Sequence, residues 1–174
     1  MAVSAASNTK TVVGKGLSMN LGFTVTNQGS SPLNFNVTLY ANSTQIATIP
    51  VTLNSGSQTP ISYLWNTANS AKGNYTISVS AWPVPGSTDT SNRLSTGWVI
   101  VSIPGDITGP KGWPDGRVDM LDVGLAASKF GTRQGQPGWN PNCDVTGLTF
   151  GVPDGKVDML DVGLVASQFG KKDP

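Results

Sequence analysis

Aspartates held at fixed intervals, with a glycine after the first, can cage a hard cation, and this chain carries such a set twice. Residues 114–125 read PDGRVDMLDVGL and residues 153–164 read PDGKVDMLDVGL, 39 positions apart, differing only at Arg117 and Lys156. The carboxylates fall at intervals of four and three: Asp115, Asp119 and Asp122, then Asp154, Asp158 and Asp161. That is the second half of a calcium-binding loop. Position 5 is acidic, position 6 is a glycine for a sharp turn, position 7 offers a main-chain carbonyl (Arg117, Lys156), position 9 a side chain or water, and position 12 closes the shell. A single copy is equally explained by turn-forming and helix-capping aspartates. Two copies with one spacing and one glycine point to Ca2+, one ion per loop. Mg2+ suits such a loop less, because it resists dehydration and demands a stricter octahedron.

The charge distribution sets these loops apart. Of 174 residues, 1–103 carry four cationic side chains and one acid (Asp89), a net of +3, whereas 104–174 carry nine aspartates against seven Lys and Arg, a net of −2. Glutamate is absent, and eight of the ten acids lie in the two loop regions, which solubility alone would not require. Histidine is also absent, which removes the commonest general base, the Ser-His and Cys-His dyads and most zinc sites. Nothing separates the environments of the paired carboxylates, so acid-base catalysis is not expected. The one cysteine, Cys143, cannot form an internal disulfide and reads as a small buried residue. No apolar run is long enough to span a membrane. Met1 followed directly by strand-like sequence reads as a mature or excised segment.

The elements before the loops alternate apolar and polar residues. Leu17, Met19, Leu21, Phe23 and Val25 share one face, and Phe35, Val37, Leu39 and Ala41 repeat the pattern, as do Tyr75, Ile77, Val79 and Ala81. Further strands are expected near 2–6 and over 45–53, 60–65 and 98–103. Period two over many short segments argues an all-β sandwich. Ile61, Tyr63 and Trp65 are expected in its core, and Trp82 on the polar face, where it could stack on a sugar. The polar faces are rich in hydroxyls and amides. Sequons begin at Asn36, Asn42 and Asn74, all at outward positions where a glycan could sit on a secreted protein.

Residues 11–16 (TVVGKG), 23–29 (FTVTNQG), 36–42 (NVTLYAN), 72–77 (KGNYTI) and 82–86 (WPVPG) together resemble CARDB domains, immunoglobulin-like or fibronectin-like sandwiches of microbial secreted proteins. The likeness spans roughly 2–103 and has the flavour of archaeal surface proteins. It implies a spacer or adhesion role and brings no catalytic residues.

Residues 102–105 read as a short stiff hinge. Beyond it each loop is followed by a helical pattern, Leu121, Leu125 and Phe130 stopped by Gly131, then Leu160, Leu164 and Phe169 stopped by Gly170. Loop-helix pairs with one helix per loop resemble dockerin domains, and the likeness covers 104–174. The expected fold is therefore mainly β, an immunoglobulin-like sandwich over 1–103 followed by a small α-helical domain with two calcium loop-helix repeats over 104–174. The resemblance implies Asp106 and Thr108 at positions 1 and 3 of the first loop and Asp144 and Thr146 in the second. Between positions 3 and 5 this chain departs from the family, with 109–114 and 147–153 standing where one residue is usual. The resemblance also implies a protein-docking surface at Met120, Leu121, Ala127 and Ser128, and at Met159, Leu160, Ala166 and Ser167. The Met-Leu pairs could instead pack the helices together, and Trp113 and Trp139 could cover the small core.

These readings imply a non-catalytic extracellular module that docks through its calcium domain onto a protein partner, a cohesin-like domain, with no role for nucleic acid. Two other readings stay open. The uncharged strands lack the lysines that guard sheet edges, so copies of the chain could pair into a filament or surface layer. The chain could also be a carbohydrate-binding accessory.

Overall fold

A computed structural model of the chain describes residues 2–81 and 93–173, with side chains from Ser7 onward. Trp82, which alternation places on the polar face, and Asp89 lie outside the described residues. Eight strands are described, all in the first 102 residues: β1 (Ala2–Asn8), β2 (Val12–Gly14), β3 (Ser18–Thr26), β4 (Leu33–Ala41), β5 (Thr44–Leu53), β6 (Gln58–Asn66), β7 (Gly73–Ala81) and β8 (Arg93–Ser102). They form two sheets, one of three strands in the order β1-β3-β6 and one of five in the order β2-β8-β7-β4-β5. The pairs β1–β3, β4–β5 and β4–β7 run antiparallel, and β2 runs parallel to β8.

Alternation buries one face of each central strand. On β3, Met19, Leu21, Phe23 and Val25 are buried while Asn20, Thr24 and Thr26 are less so. Asn27, fully buried at the end of that strand, plugs the turn: its side-chain NH2 donates to the carbonyls of Ser31, Leu53 and Asn54, and its oxygen accepts from Gly29 N. Trp65 is buried as expected, with Ile61 and Tyr63 only half so.

Two helices follow, α1 (Met120–Ser128) and α2 (Met159–Ser167). Each starts on a capping box: Asp119 or Asp158 caps with its side chain, and Asp122 or Asp161 at the third helical position accepts from the cap's own N–H. The helix faces correct the expectation. Leu121, Phe130, Leu160 and Phe169 are 44–55 % exposed, and the Phe residues fall beyond the helix ends. The buried stripe is Val118, Asp122 and Ala126 in one copy and Val157, Asp161 and Val165 in the other, joined in the second by Leu164. Residues four apart share a helix face, and the acceptor duties of Asp122 and Asp161 turn that face inward. Among the described residues no helix is long and apolar enough to cross a membrane.

The chain divides into two compact units. One comprises Met1–Asn8, Leu21–Tyr63 and Tyr75–Trp98; the other comprises Thr9–Asn20, Leu64–Asn74 and Val99–Pro174. The first has its core in Leu21, Phe23, Val25, Val37, Leu39, Ile77 and Val79. The second draws strand segments in among the loops, through buried Val12, Val13, Met19, Trp65 and Val101 beside Ile107, Val118, Val145 and Val157. The segment expected to hinge is held fast inside this unit. Ser102 Oγ donates to the Asp106 carbonyl at 2.7 Å, Lys15 N donates to the Ser102 carbonyl at 2.8 Å, and a Cβ on Gly14 would stand 2.8 Å from Pro104 Cα.

Candidate metal centre

The acidic repeats lie in the second unit, and each is built on the same hydrogen-bond net. In the first copy the two Asp106 oxygens accept from Asp115 N at 3.3 Å and Gly116 N at 2.9 Å. Asp122 Oδ1 accepts from Ile107 N and Thr108 N at 2.8 and 3.0 Å, and its Oδ2 from Asp119 N at 2.9 Å. In the second copy Asp144 accepts from Asp154 N and Gly155 N, and Asp161 from Val145 N, Thr146 N and Asp158 N, at 2.8–3.1 Å. The long segments between positions 3 and 5 thus loop out without displacing Asp106 or Asp144 from the residues they are expected to face. Gly109 and Gly147 open these excursions under tight constraint, since a Cβ would meet Trp113 O at 2.6 Å or Asp154 Cβ at 2.7 Å.

The copies also clasp each other. Position 8 of each loop is a fully buried valine paired through its main chain with the segment that follows the other copy's helix. Val118 N donates to Lys171 O and Gly170 N to Val118 O; Val157 N donates to Thr132 O and Gly131 N to Val157 O, all at 2.8–2.9 Å. Among the described residues, the neighbouring carbonyls of Arg117 and Lys156 take no part in this main-chain pairing.

Among the described residues four carboxylates are buried: Asp106, Asp122, Asp144 and Asp161. Burial pushes the Asp106 carboxyl up to about 7, with the negative charges of Asp122 and Asp115 adding to the rise against the pull of its N–H donors. Burial likewise pushes Asp144 up to about 6 and raises Asp161. Asp158 is different: half-buried at the loop rim, it is held below the usual carboxylate range by the Lys156 ammonium, which stands 2.6 Å from it and 3.3 Å from Asp154.

The donor set can be tested against a cation. Among the described residues no three Asp or Cys side chains converge into a metal-holding group. Each loop instead brings together two buried carboxylates, which hold about four acceptor sites each. Asp106 uses one per oxygen on N–H donors, so acceptor capacity remains. Two carboxylates with a threonine hydroxyl and main-chain carbonyls make an all-oxygen, loosely defined set, and that fits Ca2+. Asp115, Asp119, Asp154 and Asp158 sit at the loop rims, less buried, with Asp119 and Asp158 already capping helices. Thr146 is buried and its Oγ1 accepts from Gly151 N at 2.8 Å; Thr108 is half-buried and uses its N–H on Asp122.

The expected docking residues are exposed, Met120 and Met159 at 67 %, with Ala127, Ser128, Ala166 and Ser167 on the same helices. Asn36, Asn42 and Asn74 are exposed too, and Asn42 is the one described non-glycine residue at positive φ. Sequence reasoning did not single out Lys10, Asn142, Leu148 or Phe150. Lys10 is 3 % exposed, its Nζ donates to the Asp144 carbonyl at 3.0 Å, and burial lowers its pKa to about 8. Asn142 Oδ1 accepts from Thr11 N and Val12 N. These partners lie 130 to 134 residues apart, and no local pattern signals them. Leu148 and Phe150 are 96 % and 77 % exposed and line an apolar cleft with Leu160 and Leu164. A run of apolar residues within the excursion was the available signal.

Comparison with protein families gives a match to the CARDB model over residues 2–84. Among solved structures, the CARDB domain of a Pyrococcus furiosus protein, crystallised in complex with di-metal ions, is 19% identical and covers 57% of this chain and 90% of its own, at a TM-score of 0.47. A domain of a protein described as a cell surface protein of Methanosarcina acetivorans is 24% identical over 58% of this chain and 93% of its own, at 0.42. A Paenibacillus cycloisomaltooligosaccharide glucanotransferase is 15% identical over 73% of this chain and 18% of its own, at 0.45. Comparison with curated proteins gives no match.

Proposed function

We propose, from the match of residues 2–84 to the CARDB family model, that this chain is a non-catalytic extracellular module of a cell surface whose second unit is ordered by two Ca2+ ions and docks onto a protein partner. CARDB domains are non-catalytic modules, and the cell-surface description of the Methanosarcina relative agrees with an adhesion role. The observation that carries the calcium reading is the duplicated net in which a buried pair of aspartates, Asp106 with Asp122 and Asp144 with Asp161, is held by main-chain N–H groups around a loop.

Asp106, Thr108, Asp115, the Arg117 carbonyl, Asp119 and Asp122 would hold one ion. Asp144, Thr146, Asp154, the Lys156 carbonyl, Asp158 and Asp161 would hold the other. Bound Ca2+ supplies positive charge to carboxylates that otherwise repel one another, and a hundredfold excess over the dissociation constant would stabilise the fold by roughly 2.7 kcal/mol per site. The exposed Met120, Leu121, Met159 and Leu160 give such a partner an apolar contact, with Ala127, Ser128, Ala166 and Ser167 small enough to let it approach. The exposed sequon asparagines suit a glycosylated surface protein.

The test is thermal melting in Ca2+ and in a chelator, on the native chain and on Asp122→Asn with Asp161→Asn. Asparagine removes the charge and keeps one of the two acceptor oxygens, so its amide NH2 replaces the acceptor either of the cap N–H or of the two loop N–H groups. Ca2+ should raise the melting temperature of the native chain and leave the double variant unmoved. An equal rise in both would remove these residues from the site.

A further inference from the structure

The two loops share a sequence and a hydrogen-bond net, but their surroundings carry different charge. In the second, Lys156 Nζ lies 2.6 Å from Asp158 and 3.3 Å from Asp154, bridging the carboxylates at positions 9 and 5. A second ammonium, that of the buried Lys10, donates to the Asp144 carbonyl at 3.0 Å and acts electrostatically on Asp144 and Asp161. The first loop has neither. Arg117 takes the place of Lys156, and among the described residues no Lys or Arg forms an ion pair with Asp106, Asp115, Asp119 or Asp122. The second loop is further pinned, because Gly151 N donates to Thr146 Oγ1 at 2.8 Å and the Gly151 carbonyl accepts from Ser18 N at 2.7 Å.

A divalent cation entering the first loop meets carboxylates without a counter-charge. One entering the second must displace Lys156 from two of them or bind beside it, and must approach Lys10, whose charge is little screened in its buried setting. We infer that the loops are unequal cation sites filled in order, the first before the second, with Lys156 as the side chain that sets most of the difference. This rests on reading the loops as Ca2+ sites. It gives the module a graded response, in which low Ca2+ orders one repeat and higher Ca2+ completes the other.

Gly116 and Gly155 report the loops separately, since each amide bonds a position-1 carboxylate. CaCl2 would be titrated into the full chain while their amide resonances are followed by NMR, and again into Lys156→Gln. In the native chain the Gly116 shift should finish at lower Ca2+ than the Gly155 shift. In Lys156→Gln the Gly155 midpoint should fall by roughly three- to tenfold, the scale of losing a partly exposed double ion pair, with Gly116 unchanged. Lys156→Arg, which copies the first loop, checks that a lower midpoint follows the ion pair rather than damage to the fold. Coincident midpoints, Gly155 first, or a Gly155 midpoint unmoved in Lys156→Gln would overturn the ordering while leaving two calcium sites standing. No Ca2+-dependent shift at either glycine would remove the sites themselves.

Discussion

If the loops hold Ca2+ as proposed, Asp106 and Asp144 would do opposite work with and without metal, and that makes the protein's response to pH informative. Burial raises both carboxyls, to about 7 and about 6. A carboxyl whose folded-state pKa lies above its unfolded value of about 3.9 binds more protons when folded between the two. Its stabilising contribution is therefore complete below pH of about 4 and is lost as pH rises through 6 to 7. The metal-free second unit should melt at a lower temperature at pH 7.5 than at pH 4.5, as followed by calorimetry in a chelator. Ca2+ needs the deprotonated form, so the increment it adds should be small at pH 4.5 and largest above 7. An increment that shrinks with rising pH would argue against these carboxylates as ligands. Cys143 takes no part, because burial pushes its thiol up to about 12 and leaves it inert.

The strands were largely legible because one buried face imposes a period of two: β3 follows the alternation read from the sequence, and β4 and β7 bury Val37, Leu39, Ile77 and Val79 as read, with Thr38 and Ser78 buried between them. Strand β2 was not: three residues are too few to show a period, and its parallel pairing with β8 joins positions almost 90 residues apart. The helix faces misled for a chemical reason, since an aspartate took a buried position that apolar patterning reserves for leucine. The spacing of Asp115, Asp119 and Asp122 was visible in one dimension, whereas the bonds from Asp115 and Gly116 back to Asp106 emerge only when the intervening excursion folds away. Each helix also keeps a glycine in its interior, Gly124 and Gly163, where an added Cβ would meet nothing within 4 Å. Glycine in a helix costs about 0.5–1 kcal/mol relative to alanine. Gly124→Ala with Gly163→Ala should raise the melting temperature of the metal-free protein, and a fall would mean that the space beside these glycines is occupied.

Across the chain, the region of the two acidic loops is not a self-contained tail. Lys10, the Asn142 contacts to Thr11 and Val12, the Ser18 bond to Gly151 and the ion pair between Lys72 and Asp173 all lie inside the second compact unit. Strand segments and loops therefore share one core, and ordering of the loops bears on both. The account stands on each loop taking one ion, so calorimetric titration of the metal-free full chain with CaCl2 at pH 7.5 is the decisive measurement. Two Ca2+ per chain should bind, with both removed in Asp122→Asn with Asp161→Asn; a native chain that takes up no Ca2+ at millimolar concentration would contradict the account.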